Sequence, residues 1–301
     1  MSVRAHSVSV EPTMHVASQR YVLTLSCPDA IGIVAAVTAI LAKHGASIID
    51  AQHYREPVAS VAVLRIVFEA AGAAAIDTQR LEPDLLAAAR QFDMKWAIND
   101  ASRRLRVLVA VSKQGHCLKS LLHRWEVGTL PVEIVGVVSN HETQRRLVEW
   151  HGLPFHHLPI QPGRKQEQED RLLALFSHLR GELLVLARYM QILSEPACRQ
   201  LAGCAINIHH SFLPSFKGAQ PYSQAHARGV KLIGATAHYV NGDLDEGPII
   251  EQAVERVDHS MSVQQLTALG NEIESVVLNR AIQWHAEHRV FEFGSRTVVL
   301  K

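Results

Sequence analysis

Residues 21–99 combine apolar strand patterns with helical periodicity in the order strand, helix, strand, strand, helix, strand. The first helix begins near Ile33 and is closed by Gly45, and the second lies around residues 81–92. The strands read YVLTLSC, SIIDAQHY, VASVAVLRIVFEA and MKWAIN. This βαββαβ order is the split βαβ arrangement, so the pattern predicts a small ferredoxin-like domain over residues 20–100.

A polar joint at residues 99–104 is followed by strands that alternate with helices, which is typical of a mainly parallel sheet covered on both faces. We therefore predict a Rossmann-like α/β domain over residues 104–301. Residues 1–19 show no useful periodicity and predict a mobile leader. The strands of the larger domain are predicted at residues 105–111, 132–139, 182–188, 205–209 and 233–240. Its helices are predicted at 115–125, at 143–152 after a capping Asn140, at 167–181, at 195–203 after a capping Ser194, and at 263–288.

The amino-acid composition and charge exclude several classes of protein. With 48% hydrophobic residues, a chain of 301 residues can fill two cores, which excludes extensive disorder. The formal net charge of +1 argues against a nucleic-acid partner. The longest uncharged apolar stretch, residues 30–42, is shorter than the roughly 20 residues that span a bilayer, so no membrane association is expected. The 4 cysteines form no C-x-x-C pair, which favours a reducing, cytoplasmic location.

The run INIHHSFLPSFKGAQPY carries the first candidate chemistry. Asn207 and His209 are two residues apart on a predicted strand, so their side chains point to the same side. They stand at the carboxyl end of that strand, where open α/β sheets bind ligands. An amide beside an imidazole suits the polarisation of a carbonyl and the binding of an oxyanion. The alternative is that both side chains only satisfy local backbone groups.

The run HYVNGDLDEGPII supplies a candidate carboxylate. Asp245 lies between two apolar segments, and from this loop it could orient a nucleophile and keep the imidazole of His209 charged. The triplet Asn241-Gly242-Asp243 has turn chemistry, so a turn role for either nearby aspartate is the alternative.

The 18 histidines also raise the possibility of a zinc site. The adjacent pairs are His156-His157 and His209-His210, and His238 lies on a predicted strand. Neighbouring histidines on a strand point to opposite faces, and the sequence contains neither H-E-x-x-H nor a two-cysteine spacing. We therefore predict no metal site.

The segments NIHHSFLPSFKG and ATAHYVNGDLDEGPIIEQ together resemble the folate-dependent formyltransferase family. In that family the catalytic set is an asparagine, a histidine two residues on, and the aspartate of a D-x-G-x-I-I loop. The resemblance therefore implies catalytic roles for Asn207, His209 and Asp245.

The resemblance also implies a folate pocket. The segment LARYMQIL is similar to the family's pterin-binding stretch, which places Met190, Gln191 and Leu193 in the pocket. The loop from Val240 through Asn241 and Gly242 to Asp245 is expected to form the opposite wall. His210 is a further candidate for substrate contact. For Met190 and Tyr189 the alternative is ordinary core packing.

Two features separate hydrolysis from transfer within this family. Transferases that act on a phosphorylated amine carry a glycine-rich phosphate loop after the first strand, where this chain has residues 112–118, SKQGHCL, with a single glycine. The H-H-S run at His210 and the domain in front are similar to the branch that hydrolyses 10-formyltetrahydrofolate. The resemblance thus implies release of tetrahydrofolate and formate without a cofactor or metal. Three features depart from the family pattern, namely Gln114, Ser223 and the hairpin around Arg55-Glu56-Pro57, and they bear on substrate affinity and regulation.

In that branch the first domain is an ACT domain, usually an amino-acid sensor that pairs with another copy. By this resemblance Asp29 and Gly32 mark the effector-binding turn, although a simple cap and tight turn is the alternative. We expect a small amino-acid effector and a homo-oligomer, dimer or tetramer. The rival functions are a formyltransferase with an unphosphorylated amine acceptor, a catalytically silent folate or amino-acid sensor, and a zinc hydrolase.

Overall fold

A computed structural model describes residues 19–71, 76–213 and 221–301 of the chain. The chain separates into two units between Ser102 and Arg103, a division that falls within the polar joint of residues 99–104. The predicted leader, residues 1–19, lies outside the described residues except for Gln19. No helix within the described ranges has both the length and the apolar character needed to span a bilayer.

The first unit is a four-stranded antiparallel sheet with two helices, as predicted. The strand order is β2-β3-β1-β4. Its elements are β1 (Arg20–Pro28), α1 (Ile33–Lys43), β2 (Ala46–Glu56), β3 (Val61–Ala70), α2 (Thr78–Phe92) and β4 (Lys95–Asp100). Alternate sheet residues such as Leu23 and Ile66 pack with Leu41 and Leu81 of the helices, all of them fully buried. The helical and strand periodicities of the sequence therefore bury their apolar sides against each other.

The third strand begins three residues later than the sequence pattern suggests. Val58 was predicted inside the strand, but residues 57–60 form a turn and β3 starts at Val61. The Glu56 carboxylate accepts a hydrogen bond from the backbone N–H of Ala59 at 2.5 Å, and Ser60 has a φ of 52°. This local hydrogen bond competes with the strand ladder and delays it.

The second unit is built on a seven-stranded sheet in the order β11-β10-β9-β8-β5-β6-β7, which confirms the predicted fold class. Strands β5 to β9 are parallel, and β10 runs antiparallel between β9 and β11. The strands are β5 (Leu105–Val111), β6 (Val132–Ser139), β7 (Phe155–His157), β8 (Leu183–Leu186), β9 (Ala205–His209), β10 (Leu232–Tyr239) and β11 (Ile249–Arg256). A separate hairpin follows, formed by β12 (Val290–Phe293) and β13 (Arg296–Val299).

Helices connect these strands: α3 (His116–Glu126), α4 (Arg145–Trp150), α5 (Lys165–His178), α6 (Glu195–Gln200), α7 (Pro221–Ala227) and α8 (Val263–Ala286). Ser194 caps α6 as predicted, because its hydroxyl accepts from the N–H of Ala197. The predicted cap at Asn140 is wrong. A short 3-10 turn (Glu142–Gln144) precedes α4, and the Asn140 amide oxygen instead accepts from the Ser112 hydroxyl at 2.7 Å. The sequence analysis also did not predict β7, β11, α7 or the final hairpin.

Strand order places a cleft at one edge of this sheet. The chain moves outward from β5 to β6 and β7, then returns to the other side of β5 with β8 and β9. The loops after β5 and β8 therefore leave in opposite directions, and such a switch point at the carboxyl ends of parallel strands is where open α/β sheets bind ligands. Strand β8 is shorter than predicted and ends at Leu186, so residues 187–194 are free to form a loop there.

Gly247 fixes the loop between β10 and β11. A Cβ added at this residue would lie 1.7 Å from the backbone oxygen of Tyr239, so only glycine fits without a backbone shift. We expect Gly247→Ala to reduce the free energy of unfolding by about 1–3 kcal/mol, because an overpacked contact with main chain relaxes poorly. Gly242→Ala is the matched control, since its Cβ would meet only the flexible Glu195 side chain at 3.3 Å. Denaturant unfolding measures both; equal stability of the two variants contradicts the assignment.

Candidate functional site

A cavity of about 640 Å³ opens at the carboxyl ends of β8 and β9. It is bounded by the loop after β8, by the loop after β10, and by parts of α7 and α8. All ten catalytic and substrate-binding residues singled out in the sequence line this cavity: Met190, Gln191, Leu193, Asn207, His209, His210, Val240, Asn241, Gly242 and Asp245. The fold thus brings three separate sequence segments to one place.

The three polar residues implied by the motif converge in the cavity. The His209 Nδ1 atom lies 3.1 Å from Oδ2 of Asp245. The Asn207 amide donates to Oδ1 of the same carboxylate at 3.5 Å. Because an ionised carboxylate only accepts, the proton of His209 in this contact sits on Nδ1.

Strand pairing explains why these side chains meet. Asn207 and His209 are separated by one residue on β9 and therefore share a face. Asn207 is paired directly with His238 of the antiparallel neighbour β10. The loop after β10 then folds back and delivers Asp245 over the same face.

His238 is a site residue that the sequence reasoning considered only as a zinc ligand. Its Nδ1 lies 2.8 Å from the Tyr239 carbonyl oxygen, which requires the proton on Nδ1. In the neutral ring, Nε2 is then an acceptor, and the Asn207 amide donates to it at 3.3 Å. His238 therefore fixes which way the Asn207 amide is turned. The sequence could have indicated that His238 lies opposite Asn207 only if the register between β9 and β10 had been known.

Asp245 is held in an unusual backbone conformation. Its φ of 58° lies in the left-handed region, which is uncommon outside glycine and is concentrated at functional sites. Burial raises the pKa of its carboxyl, but the contacts with His209 and His238 together outweigh burial and leave this pKa well below the usual range. Asp245 is therefore ionised at neutral pH.

The two adjacent histidines differ in environment. His209 is 5% exposed, and its Nε2 is buried without a hydrogen-bond partner among the described residues. Since its Nδ1 is bound to Asp245, Nε2 is the atom left for chemistry. In His210, burial and then the nearby charge of Arg188 lower the pKa to about 4, so this ring is neutral at pH 7. The Nδ1 atom of His210 is likewise buried and unpartnered within the described part of the chain.

The loop after β8 is fixed at both ends by buried polar groups. Near its start, the Met190 N–H donates to the Ser112 hydroxyl at 3.0 Å, and the Tyr189 hydroxyl accepts from Gln168 at 2.7 Å. At its end, the Glu169 carboxylate accepts from the N–H of Ser194 at 2.7 Å. Tyr189 is a core residue, whereas Met190 is 58% exposed at the cavity, so the core-packing alternative holds for Tyr189 only.

A second polar network lies beside the cavity and was not predicted. Its members are Gln114, His116, Cys117, Arg188, Tyr222 and Glu274. His116, Cys117 and Glu274 are close enough to bind a metal ion together. However, burial raises the pKa of the Cys117 thiol, and the Arg188 guanidinium lies 3.4 Å from Glu274, so the donor set is poorly suited to a cation. The departures flagged in the sequence, Gln114 and Ser223, both line the cavity.

The candidate effector residues lie in the first unit. Gly32 precedes α1 with a φ of 96°, a conformation that glycine adopts readily. The Asp29 carboxylate forms an ion pair with Arg55 at 2.7 Å, which ties the turn to the end of β2. A role of Asp29 and Gly32 in effector binding stays a prediction.

Comparison with known proteins agrees with both halves of this description. The family model "Formyl transferase" matches residues 105–282, and the model "ACT domain" matches residues 21–80. A formyltetrahydrofolate deformylase of a Corynebacterium species is 50% identical over 283 residues, which cover 94% of this chain and 98% of that protein. A crystal structure of the formyltetrahydrofolate deformylase of Burkholderia mallei matches with a TM-score of 0.89 and 50% identity, covering 94% of this chain and all of that one.

The second unit is also similar to a wider group of enzymes. A glycinamide ribonucleotide transformylase of Symbiobacterium toebii covers 66% of this chain and 95% of its own, with 29% identity and a TM-score of 0.61. That match leaves out about a third of this chain, whereas the deformylases match nearly all of it. The chain therefore belongs to the formyltetrahydrofolate deformylase family.

Proposed function

We propose that this chain hydrolyses 10-formyltetrahydrofolate to tetrahydrofolate and formate, with Asn207, His209 and Asp245 as its catalytic residues. The observation that carries the proposal is their convergence in the cavity, with Nε2 of His209 unoccupied beside them. An amide donor, an imidazole and a carboxylate are the groups that addition of water to a formamide requires.

Asp245 orients the attacking water and accepts one of its protons. Its carboxylate is ionised, partly buried and anchored through Oδ2 to His209. A carboxylate with so low a pKa is a weak base, so the proton moves as the bond between water oxygen and formyl carbon forms. The contact of 3.5 Å from Asn207 to Oδ1 is long for a hydrogen bond, which leaves that oxygen free to bind water.

Asn207 and His209 stabilise the tetrahedral oxyanion. One N–H of the Asn207 amide is held by His238, and the other, weakly bound to Asp245, turns to the oxyanion. In its imidazolium form His209 donates from Nε2, and the neighbouring Asp245 carboxylate stabilises that charge. The same proton then passes from Nε2 to the departing N10, so that formate and tetrahydrofolate leave.

The folate ring fits between the two loops. Backbone and side chains of Met190, Gln191 and Leu193 form one wall, and Val240, Asn241 and Gly242 form the other. Two hydrogen bonds hold the loop after β10: the Asp243 N–H donates to the Asn241 amide oxygen, and the Asn241 amide donates to the Glu246 carbonyl. Neutral His210 offers its free Nδ1 to a polar group of the substrate.

Hydrolysis is favoured over transfer to a phosphorylated amine by the loop after β5. In this loop, residues 112–115, the Gln114 side chain is bound to Arg188 and the Ser112 hydroxyl is bound to Asn140. These groups are already paired, and a single glycine offers few free backbone amides for a phosphate. The second candidate, a formyltransferase with an unphosphorylated acceptor, is tested below.

The remaining roles follow from family membership and the sequence. We propose that the reaction needs no cofactor, that a small amino acid acts at the Asp29–Gly32 turn of the ACT domain, and that the enzyme is a cytoplasmic homo-oligomer. The 4 cysteines are all free thiols, which fits a reducing compartment.

Formate release without an acceptor tests the reaction class. Purified protein given 10-formyltetrahydrofolate alone should produce formate and tetrahydrofolate in equal amounts, because water is the nucleophile. Formate assay and the absorbance change of the folate measure the two products, and Asp245→Asn serves as the inactive control. Turnover only after addition of an amine would instead establish the formyltransferase.

Replacement of Asn207 tests the oxyanion site. We expect Asn207→Ala to lower kcat about a hundredfold or more, since loss of one oxyanion donor costs roughly 3 to 4 kcal/mol. Steady-state kinetics measure kcat, and Asn99→Ala on β4 of the first unit provides a control that should keep full activity. A kcat within tenfold of the wild-type value removes Asn207 from this role.

The buried His210 predicts a pH dependence of stability. Its pKa of about 4 in the folded protein lies below the value of about 6.5 for an exposed imidazole. As pH falls through this window the unfolded chain binds a proton that the folded chain does not, so the free energy of unfolding decreases. We expect the thermal midpoint to fall less between pH 7 and 5 in His210→Asn than in wild type. Burial also lowers the pKa of His285 to about 4, so the variant should keep part of the pH dependence of stability. An equal fall of the thermal midpoint in the variant and in wild type would contradict the role of His210.

A further inference from the structure

Arg188 places a buried guanidinium in the wall of the catalytic cavity. Its side chain is only 8% exposed, and its Nε and Nη2 atoms donate to the Gln114 amide oxygen at 2.9 and 2.6 Å. Its Nε lies 3.4 Å from Oε2 of Glu274 on α8. The guanidinium therefore joins the loop after β5 to α8, across one end of the cavity.

Glu274 makes this arrangement costly to disturb. Its side chain is fully buried, and it accepts from the Tyr222 hydroxyl at 2.8 Å and lies 2.8 Å from Nε2 of His116. Burial raises the pKa of Glu274, but the contacts with His116 and Arg188 together lower it by more than burial raises it. The side chain is therefore an ionised carboxylate. Arg188 supplies it with a permanent positive charge. Arg188 is thus held in place by a partner that would otherwise be a poorly compensated buried charge.

The backbone at Arg188 is also unusual. Its φ of 63° is in the left-handed region, where a glycine would be accommodated without strain. This position therefore carries a long cationic side chain on a backbone that favours glycine. Strain of this kind persists when the surroundings hold it, and it is concentrated at sites with a function.

The position of Arg188 bears on which nucleophile reaches the formyl carbon. Under the proposed function, the loops after β8 and β10 enclose the folate, so a nucleophile has to approach from the remaining end of the cavity. Outside the two loops, the cavity lining includes Gln114, Tyr222, Ser223 and Asn271, and the side chain of Arg188, at the start of the loop after β8, is bound to Gln114. The same fold occurs in an enzyme named as a transformylase. The fold alone therefore does not decide whether the nucleophile is water or a larger acceptor.

We propose that Arg188, fixed by Gln114 and Glu274, is the specificity-determining residue that restricts the nucleophile to water. The guanidinium takes up wall space beside Gln114 that an amine acceptor would need, while a water molecule still fits. This inference rests on the proposed function and deepens it. Arg188 is a specificity residue rather than a catalytic one, because the proton transfers remain with Asp245 and His209.

Without the Arg188 side chain, the formyl group can pass to an amine instead of to water. A neutral amine nitrogen forms a bond to the formyl carbon, and the bond from that carbon to N10 breaks. The amine gives up one proton to Asp245, and N10 receives one from His209. The products are a formylated amine and tetrahydrofolate, and no oxidant, reductant or further reactant is needed.

Arg188→Gly is the direct test, because it deletes the guanidinium and suits the positive φ. The protein is incubated with 10-formyltetrahydrofolate and glycinamide, a small primary amine, and the ratio of N-formylglycinamide to formate is measured by mass spectrometry. We expect this ratio to rise at least about tenfold over wild type, the lower bound for adding or removing a steric block in a pocket. Arg180→Gly is the matched control, since Arg180 is an exposed arginine that also has a positive φ, 49°, and it should behave as wild type.

A second variant controls for the unpaired charge that Arg188→Gly leaves on Glu274. Arg188→Gly leaves Glu274 without its cation, so Arg188→Gly/Glu274→Gln removes both charges while still opening the space. An increase of the transfer ratio in either folded variant supports the proposal. Exclusive release of formate by both, or a raised KM for the folate without any formylated amine, overturns it. Failure of the proposed function is separate, because wild-type protein would then release no formate from 10-formyltetrahydrofolate alone.

Discussion

The contact between Asp245 and Nδ1 of His209 is the interaction on which the site depends. It joins the loop after β10 to the end of β9 and leaves Nε2 as the ring nitrogen of His209 without a partner among the described residues. Without an acceptor at Nδ1, the imidazole would have no fixed tautomer. The contact also lowers the pKa of Asp245, together with the nearby His238, and the Asp245 backbone is in the left-handed region.

Backbone geometry makes that contact possible. Strand β10 runs antiparallel beside β9, so Asn207 faces His238, and the chain must reverse after β10 to bring Asp245 back. The reversal is tight because the backbone at Gly247 approaches Tyr239 too closely for any side chain. The strand order supplies the rest, since the switch between β5 and β8 leaves an open edge that the loop after β8 can line.

Buried charge divides the cavity into two environments. On the side of the loop after β8, the groups that hold the loop are distributed along α5 and the loop itself, and Met190 and Leu193 present apolar surface. On the other side, Arg188 and Glu274 form a paired network that requires mutual compensation. Because the fold is shared with transformylases, our proposal assigns the choice of hydrolysis to the groups on this second side.

Local patterns in the sequence determined all the elements of the first unit, most of those of the second, and the candidates Asn207, His209 and Asp245, because period-2 and period-3.6 burial and motif spacing are properties of neighbouring residues. They failed at Asn140, which binds the distant Ser112 instead of capping a helix, and at Glu56, whose local hydrogen bond with Ala59 delays β3. Only the tertiary structure brought His238 against Asn207 and Arg188 against Glu274. Register between strands and pairing of buried charges depend on residues far apart in the chain, so no local pattern encodes them.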